Sequence, residues 1–181
     1  TSVEAWDIQA DYTINAEKLG KLRWYAVATW QPHYKNTLRH DVAETDRIGF
    51  SGGPLEWRGN LGLDWNLGAW AMRWNAQFYD SYRVYTVIST ATQIADAVLT
   101  QGADRIPSQV YHDLSVSYRF TQTSSGLRRI FDNSEISFGL QNLFDKSPPI
   151  VAATSAGSLG YSPYGDPRLR RFSVSFSKAF H

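Results

Sequence analysis

The stretch RRFSVSFSKAF, residues 170–180, alternates oily and small or polar side chains with a period of two. Phe172, Val174, Phe176 and Phe180 fall on one face, while Ser173, Ser175, Ser177 and Ala179 fall on the other. That period belongs to a β-strand with one apolar side. The ends of soluble domains are usually loose and polar, whereas here three phenylalanines share a face that only Lys178 interrupts. A lysine can lay its stem along an apolar surface and lift its ammonium to a polar boundary.

The same alternation recurs toward the N-terminus. It predicts strands over 3–14, 22–31, 55–65, 70–79, 110–120 and 134–144, before the last at 170–180. Only 94–99 suggests a turn or two of helix. The predicted class is therefore all-β, an antiparallel meander of about seven strands. Its connections, 15–20, 35–53, 66–69, 83–108, 122–133 and 145–169, alternate between shorter and longer. In a meander, alternate connections lie at the same end of the sheet. Long loops would crowd one rim and short turns the other, the asymmetry of outer-membrane barrels.

Composition agrees with a folded chain of this kind. Of 181 residues, 43% are hydrophobic and 14% aromatic, and the net charge is +1 with the cations scattered. Disorder and a nucleic-acid face are both disfavoured. Without cysteine there is neither a disulfide framework nor a thiolate metal site. No apolar run approaches the ~20 residues of a membrane helix. The opening TSVEAWD lacks the pattern of a signal peptide, so an export signal would lie upstream.

The apolar face carries Trp6, Trp24, Trp30, Trp57, Trp65 and Trp70, several of them near strand ends. Indole favours a headgroup boundary, because its ring is apolar and its N–H wants a partner. The opposite face carries Asp11, Arg23, Asn60, Asp64, Arg73 and Gln77, groups too costly for a dry core. A soluble sheet with one wet side alternates in the same way and stays open as an alternative.

Residues 136–149, ISFGLQNLFDKSPP, and 160–180, GYSPYGDPRLRRFSVSFSKAF, resemble the C-terminal end of TonB-dependent outer-membrane receptors. The motif residues are Asn142, Leu143, Phe144 and Asp145, followed by Pro148 and Pro149 in a loop. Residues 54–82 and 110–120 resemble the preceding strands, and the likeness is weaker over 1–53. The resemblance implies that the whole chain, 1–181, is the last third of a barrel of about 22 strands, without its plug domain. It implies a bacterial outer-membrane location and no enzymatic activity, cofactor or metal. Implied partners are the remaining strands and plug, outer-membrane lipid, periplasmic TonB acting through the plug, and the barrel assembly machinery. That machinery would read Phe172, Val174, Phe176 and Phe180. Seven strands alone should not close, since an open edge in lipid leaves roughly ten backbone groups unpaired at several kcal/mol each.

No catalytic constellation emerges. His112 and Asp113 are strand neighbours and point to opposite faces, and His33 and His40 near the first long loop read as solvated. By position, the ligand-facing candidates are Tyr34, Arg39, His40, Arg83, Tyr85, Tyr161, Tyr164 and Arg168. Asn142 and Asp145 read as structural, closing a strand and opening a loop. The leading function is energised uptake of a siderophore, vitamin, glycan or peptide. A passive porin and a soluble carbohydrate-binding β-sandwich remain alternatives.

Overall fold

The computed structural model describes residues 1–36, 44–120, 131–152 and 160–179. In chain order the elements are β1 (Ser2–Ala16), β2 (Gly20–Asn36), β3 (Thr45–Asp46), β4 (Trp57–Leu67), β5 (Trp70–Tyr79), β6 (Tyr82–Arg83), α1 (Ala91–Gln101), β7 (Arg105–Ile106), β8 (Gln109–Phe120), β9 (Ser134–Gln141), β10 (Ile150–Val151), β11 (Gly160–Tyr161) and β12 (Arg171–Lys178). The seven long strands form one antiparallel meander, β1-β2-β4-β5-β8-β9-β12, with β3 added beside β2. Strand existence and order match the sequence pattern. β2 runs further than expected at both ends, and the last strand is described to Lys178. Phe180 lies outside the described residues.

Every strand keeps its apolar residues in one register. One row runs Tyr12–Trp24–Leu63–Trp74–Leu114–Leu140–Phe172 across all seven strands. The opposite face carries Thr13–Arg23–Asp64–Arg73–Ser115–Gly139–Ser173 at the same level. A slip of one residue in any strand would swap its two faces, so the pattern locks the register. Among the described residues β1 pairs only with β2 and β12 only with β9. The sheet is an open arc, as the seven-strand count requires.

The polar face is paired charge against charge. Arg23 bonds Asp11 on one neighbour and reaches Asp64 on the other at 3.4 Å, and Arg73 holds Asp64 from the far side at 2.7 Å. Arg119 holds Glu135 at 2.9 Å. Tyr25 lies flat on this face because Gly62 opposes it, and a Cβ at Gly62 would overlap its ring. On the apolar face Trp65 sits at the short-turn rim, where its indole N–H donates to the Leu19 carbonyl at 2.7 Å.

Two local features modify this plan. Between Trp6↔Trp30 and Glu4↔His33 the β1–β2 register shifts, with β2 taking the extra residue. Pro32 lies in that interval and has no N–H for the ladder, so a bulge is where an interior strand can hold it. The suggested helical turns at 94–99 are an eleven-residue helix. Thr90 accepts from the Gln93 N–H while Gln93 accepts from the Thr90 N–H, and Gly102 at φ 76 ends the helix. This capping box was written in the sequence as T-x-x-Q.

Gly62→Ala should destabilise the folded protein by ~1–3 kcal/mol, the usual cost of forcing a methyl into filled space. Denaturant titration of Gly62→Ala alone and with Tyr25→Ala checks the cause. The double variant should lose little beyond Tyr25→Ala, and fully additive losses would mean that the ring is not the obstacle.

Candidate functional site

The buried core of the chain is at the long-loop rim, not between the strands. Leu55, Tyr82, Val84 and Ile106 form it, with Tyr85, Val98, Val151 and Tyr164 packed around. Three loops supply these residues, so the rim is one folded layer. β6 and β7 pair within the middle loop, and β10 and β11 within the last. The Arg83 N–H donates to the Gly49 carbonyl at 2.7 Å and the Ser51 N–H to the Tyr85 carbonyl at 3.0 Å, which ties the first loop in.

A buried polar relay joins the other two loops. The Gln109 side-chain amide donates to the Ser162 hydroxyl at 2.7 Å, and the Tyr111 hydroxyl donates to the Gln109 carbonyl oxygen at 2.8 Å. Tyr82 adds a bond to the Ser162 hydroxyl at 3.3 Å. Gln109 and Ser162 are wholly buried, and neutral groups bonded this way cost far less there than charges. Burial raises the Tyr82 phenol pKa above its ordinary value, partly offset by the Ser162 bond. A second clasp is Gln101 at the end of α1. Its amide donates to the Ile150 carbonyl at 2.9 Å and accepts from the Ala152 N–H at 2.7 Å, completing the edge of β10 as a neighbouring strand would.

The positional candidates fall into different surroundings. Tyr164 stacks on Tyr79 with ring centres 5.3 Å apart and meets Tyr82 edge-on at 5.7 Å. Arg83 lies over Phe50 and Tyr85 at 5.2 and 5.6 Å, bonds the Tyr85 hydroxyl, and approaches Asp104 at 3.7 Å. Arg168 clasps Asp166 through two nitrogens, and Arg171 joins at 3.0 Å. Tyr161 is exposed on β11, and Tyr34 sits on β2 beside β3, its N–H held by Asp46 at 3.1 Å. Arg39 and His40 lie outside the described residues. The loop structure thus gathers Arg83 with Tyr85 and Tyr164 with Tyr79, but it does not bring all of the candidates together.

His33, read as merely solvated, is a strand residue whose Nδ1 lies 2.6 Å from Asp46. Burial works against the Asp46 carboxylate. The His33 bond and the N–H groups of Tyr34 and Ile48 outweigh it and lower its pKa. His112 lies on the apolar face, stacked on Trp74 at 5.6 Å with Phe144 edge-on at 4.9 Å. Asp113 points the other way and accepts from the Asn142 N–H at 2.9 Å. They form no dyad. No group of three metal-ligating side chains occurs among the described residues.

The Asn-Leu-Phe-Asp segment is a corner. Asn142 and Asp145 adopt φ of 53° and 54°, a region that Asn and Asp tolerate best among residues with a side chain. The Asn142 amide bonds both backbone groups of Lys146 at 2.9 Å, and Asp145 accepts from the Arg170 N–H at 2.9 Å. The Leu143 N–H extends the β8–β9 ladder to the His112 carbonyl. Below the rim, the polar face of the arc holds a depression of about 610 Å³, lined by Tyr25, Asn60, Arg73, Asn75, Asp113 and Gln141 among others.

No family model and no curated protein matches the sequence. Among solved structures, two variants of the ferric enterobactin receptor PfeA of Pseudomonas aeruginosa superpose on 95% and 93% of this chain, with TM-scores of 0.58 and 0.56 and identities of 18% and 19%. The unliganded ferric citrate transporter FecA covers 89% of it at a TM-score of 0.56 and 18% identity. The chain has the fold of a TonB-dependent receptor barrel. It spans about a fifth of the length of those receptors, 22% of one and 21% of the other two. The seven-strand sheet is folded like an arc of such a barrel, with its loop layer on one rim.

Ser162→Ala should strand the Gln109 amide in a dry site at ~1–3 kcal/mol. Hydrogen exchange read by mass spectrometry should then rise in 80–108 and 145–169 together. A rise confined to one loop would contradict the relay. The Arg168 side-chain bond is the largest influence holding the Asp166 carboxyl at a pKa of about 2. A depressed carboxyl contributes stability above its unfolded pKa, lost as pH falls through the folded value. A ¹³C titration should show Asp166 ionised at about pH 3, where free carboxylates are mostly protonated, and Arg168→Gln should move its midpoint upward.

Proposed function

We propose that this chain is the C-terminal wall segment of an outer-membrane receptor for energised, TonB-dependent uptake of a scarce ligand. The observation that carries the reading is the two-sided register. Seven strands present one apolar face outward, interrupted by His112 and Lys178, and charge-paired polar groups inward. A soluble sheet would bury the apolar side in a core, yet the core of this chain is in the loops.

The dimensions support a membrane wall. From Trp57 to Leu67 the outward residues of β4 span ten intervals, about 34 Å along the strand. At the ~45° tilt usual for such strands that is roughly 24 Å of height, close to the ~25 Å apolar band of outer-membrane barrels. Aromatic rings mark both limits. Trp30 and Trp57 stack near the long-loop end, and Trp70, Tyr118, Phe120, Phe131 and Phe176 follow one another across the short-turn end.

Free edges on β1 and β12 favour continuation by further strands of the same barrel, and a charged inner face favours a polar plug or a wet lumen over a packed apolar interior. Ligand capture is assigned to the rim layer, where Tyr79, Tyr164, Arg83 and Tyr85 stand. The neighbouring structures are a ferric enterobactin receptor and a ferric citrate transporter, which supports transport over catalysis. The ligand of this chain is left at the level of a scarce nutrient.

In the complete polypeptide folded into vesicles, Leu61→Arg should destabilise by ~2–4 kcal/mol, because it sets a charge at mid-band facing hydrocarbon. Asn60→Arg, its neighbour on the inner face, should cost far less. Equal losses in denaturant titrations would overturn the assignment of faces, and a protein that stays folded and monomeric without detergent would overturn the membrane reading.

A further inference from the structure

Phe144 is not needed where it stands by anything in the loop core. It is 66% exposed, as is Phe172 across β9 from it, and its main partner is the edge of His112. The residues above these rings are basic. The corner and the approach to β12 supply Lys146, Arg168, Arg170 and Arg171 against two carboxylates, Asp145 and Asp166. Among the described residues only Asp166 of the two is charge-paired, by Arg168 and Arg171. The Asp145 carboxylate meets the neutral backbone N–H of Arg170 and keeps its charge. Lys146 and Arg170 are exposed, and neither has an ion pair among the described residues. Their main chains meet the same corner, Lys146 through Asn142 and Arg170 through Asp145. Four cations against two carboxylates therefore leave this corner net positive, at the edge of the apolar band where Phe144 and Phe172 are exposed.

We propose that this corner is a binding site for a phosphate-bearing lipid headgroup in the leaflet on the long-loop side. Lys146 and Arg170 would contact the phosphate while Phe144 and Phe172 lie against the upper acyl carbons. The proposal rests on the membrane reading above. Three features favour a lipid over a free anion. The cations sit at the boundary and not in a cleft, the rings beneath them face outward with the apolar band, and a bare phosphate has no use for two exposed phenylalanines. Cations near an anionic surface gain by attraction to its headgroups, and aromatic rings settle at the same depth.

The test reconstitutes the complete polypeptide in phosphatidylcholine vesicles with and without equimolar phosphatidic acid. The phosphatidic acid retained per folded protein after detergent extraction is then counted by native mass spectrometry. Lys146→Gln and Arg170→Gln keep the backbone bonds of the corner, so the fold should survive. Each should lower retention about fivefold, the effect of one cation near an anionic surface. Lys18→Gln, in the short turn at the opposite rim, should leave retention at this site unchanged, and inorganic phosphate should not displace the bound lipid. Insertion with retention unaltered by Lys146→Gln and Arg170→Gln would overturn the lipid site alone. Displacement by inorganic phosphate would reassign it to a free anion and overturn it equally. Failure to insert at all would overturn the membrane reading and this proposal together.

Discussion

Pairing of the backbone across seven strands is the constraint from which the rest of this structure follows. A strand whose N–H and C=O groups must all be met by neighbours cannot choose its register residue by residue. Once one pair is set, the whole strand is set. The sequence exploits this by placing most apolar residues of the wall on the same parity, so that the hydrogen-bonded solution and the solution with one apolar face coincide. Agreement between the two levels is what gives a single arrangement over its competitors.

The polar face answers a different requirement. Asp11, Arg23, Asp64 and Arg73 alternate in sign across four neighbouring strands. Cross-strand pairs of opposite charge are favourable, whereas like charges directly opposite are not. The alternation also leaves the inner surface near neutrality, which lets a wide polar face exist without strong self-repulsion. In the loop layer the problem is solved with neutral groups instead. Gln109, Ser162, Tyr82 and Tyr111 satisfy one another where a carboxylate or guanidinium would be too costly.

The wall was legible in the sequence because its signal is long and local. Ten or more residues of near-regular alternation in β1, β2, β4, β5 and β8 make a strand the natural reading. The rim was not legible. Its strands, Tyr82–Arg83, Arg105–Ile106, Ile150–Val151 and Gly160–Tyr161, are two residues each, too short to show a period. Its contacts join residues 53 and 80 positions apart, as between Ser162 and Gln109 or Tyr82. Of the helix only 94–99 was legible, because its apolar face is weak and its caps, Thr90, Gln93 and Gly102, stand outside that span. His33 is exposed, as expected, but its pairing with Asp46 was not legible, because Asp46 reaches it only once β3 folds back on β2. Of the positional candidates, those paired through rings or guanidinium stacking could not have been grouped from spacing alone.

Pro32 gives the wall its upper limit. Below the bulge the facing pair is Trp6 and Trp30, and above it Glu4 and His33. Within one step of the ladder the paired residues pass from indoles to ionisable groups. An extra residue in one strand also tightens its local twist. A proline thus fixes the level at which the facing residues of the first two strands change from apolar to ionisable.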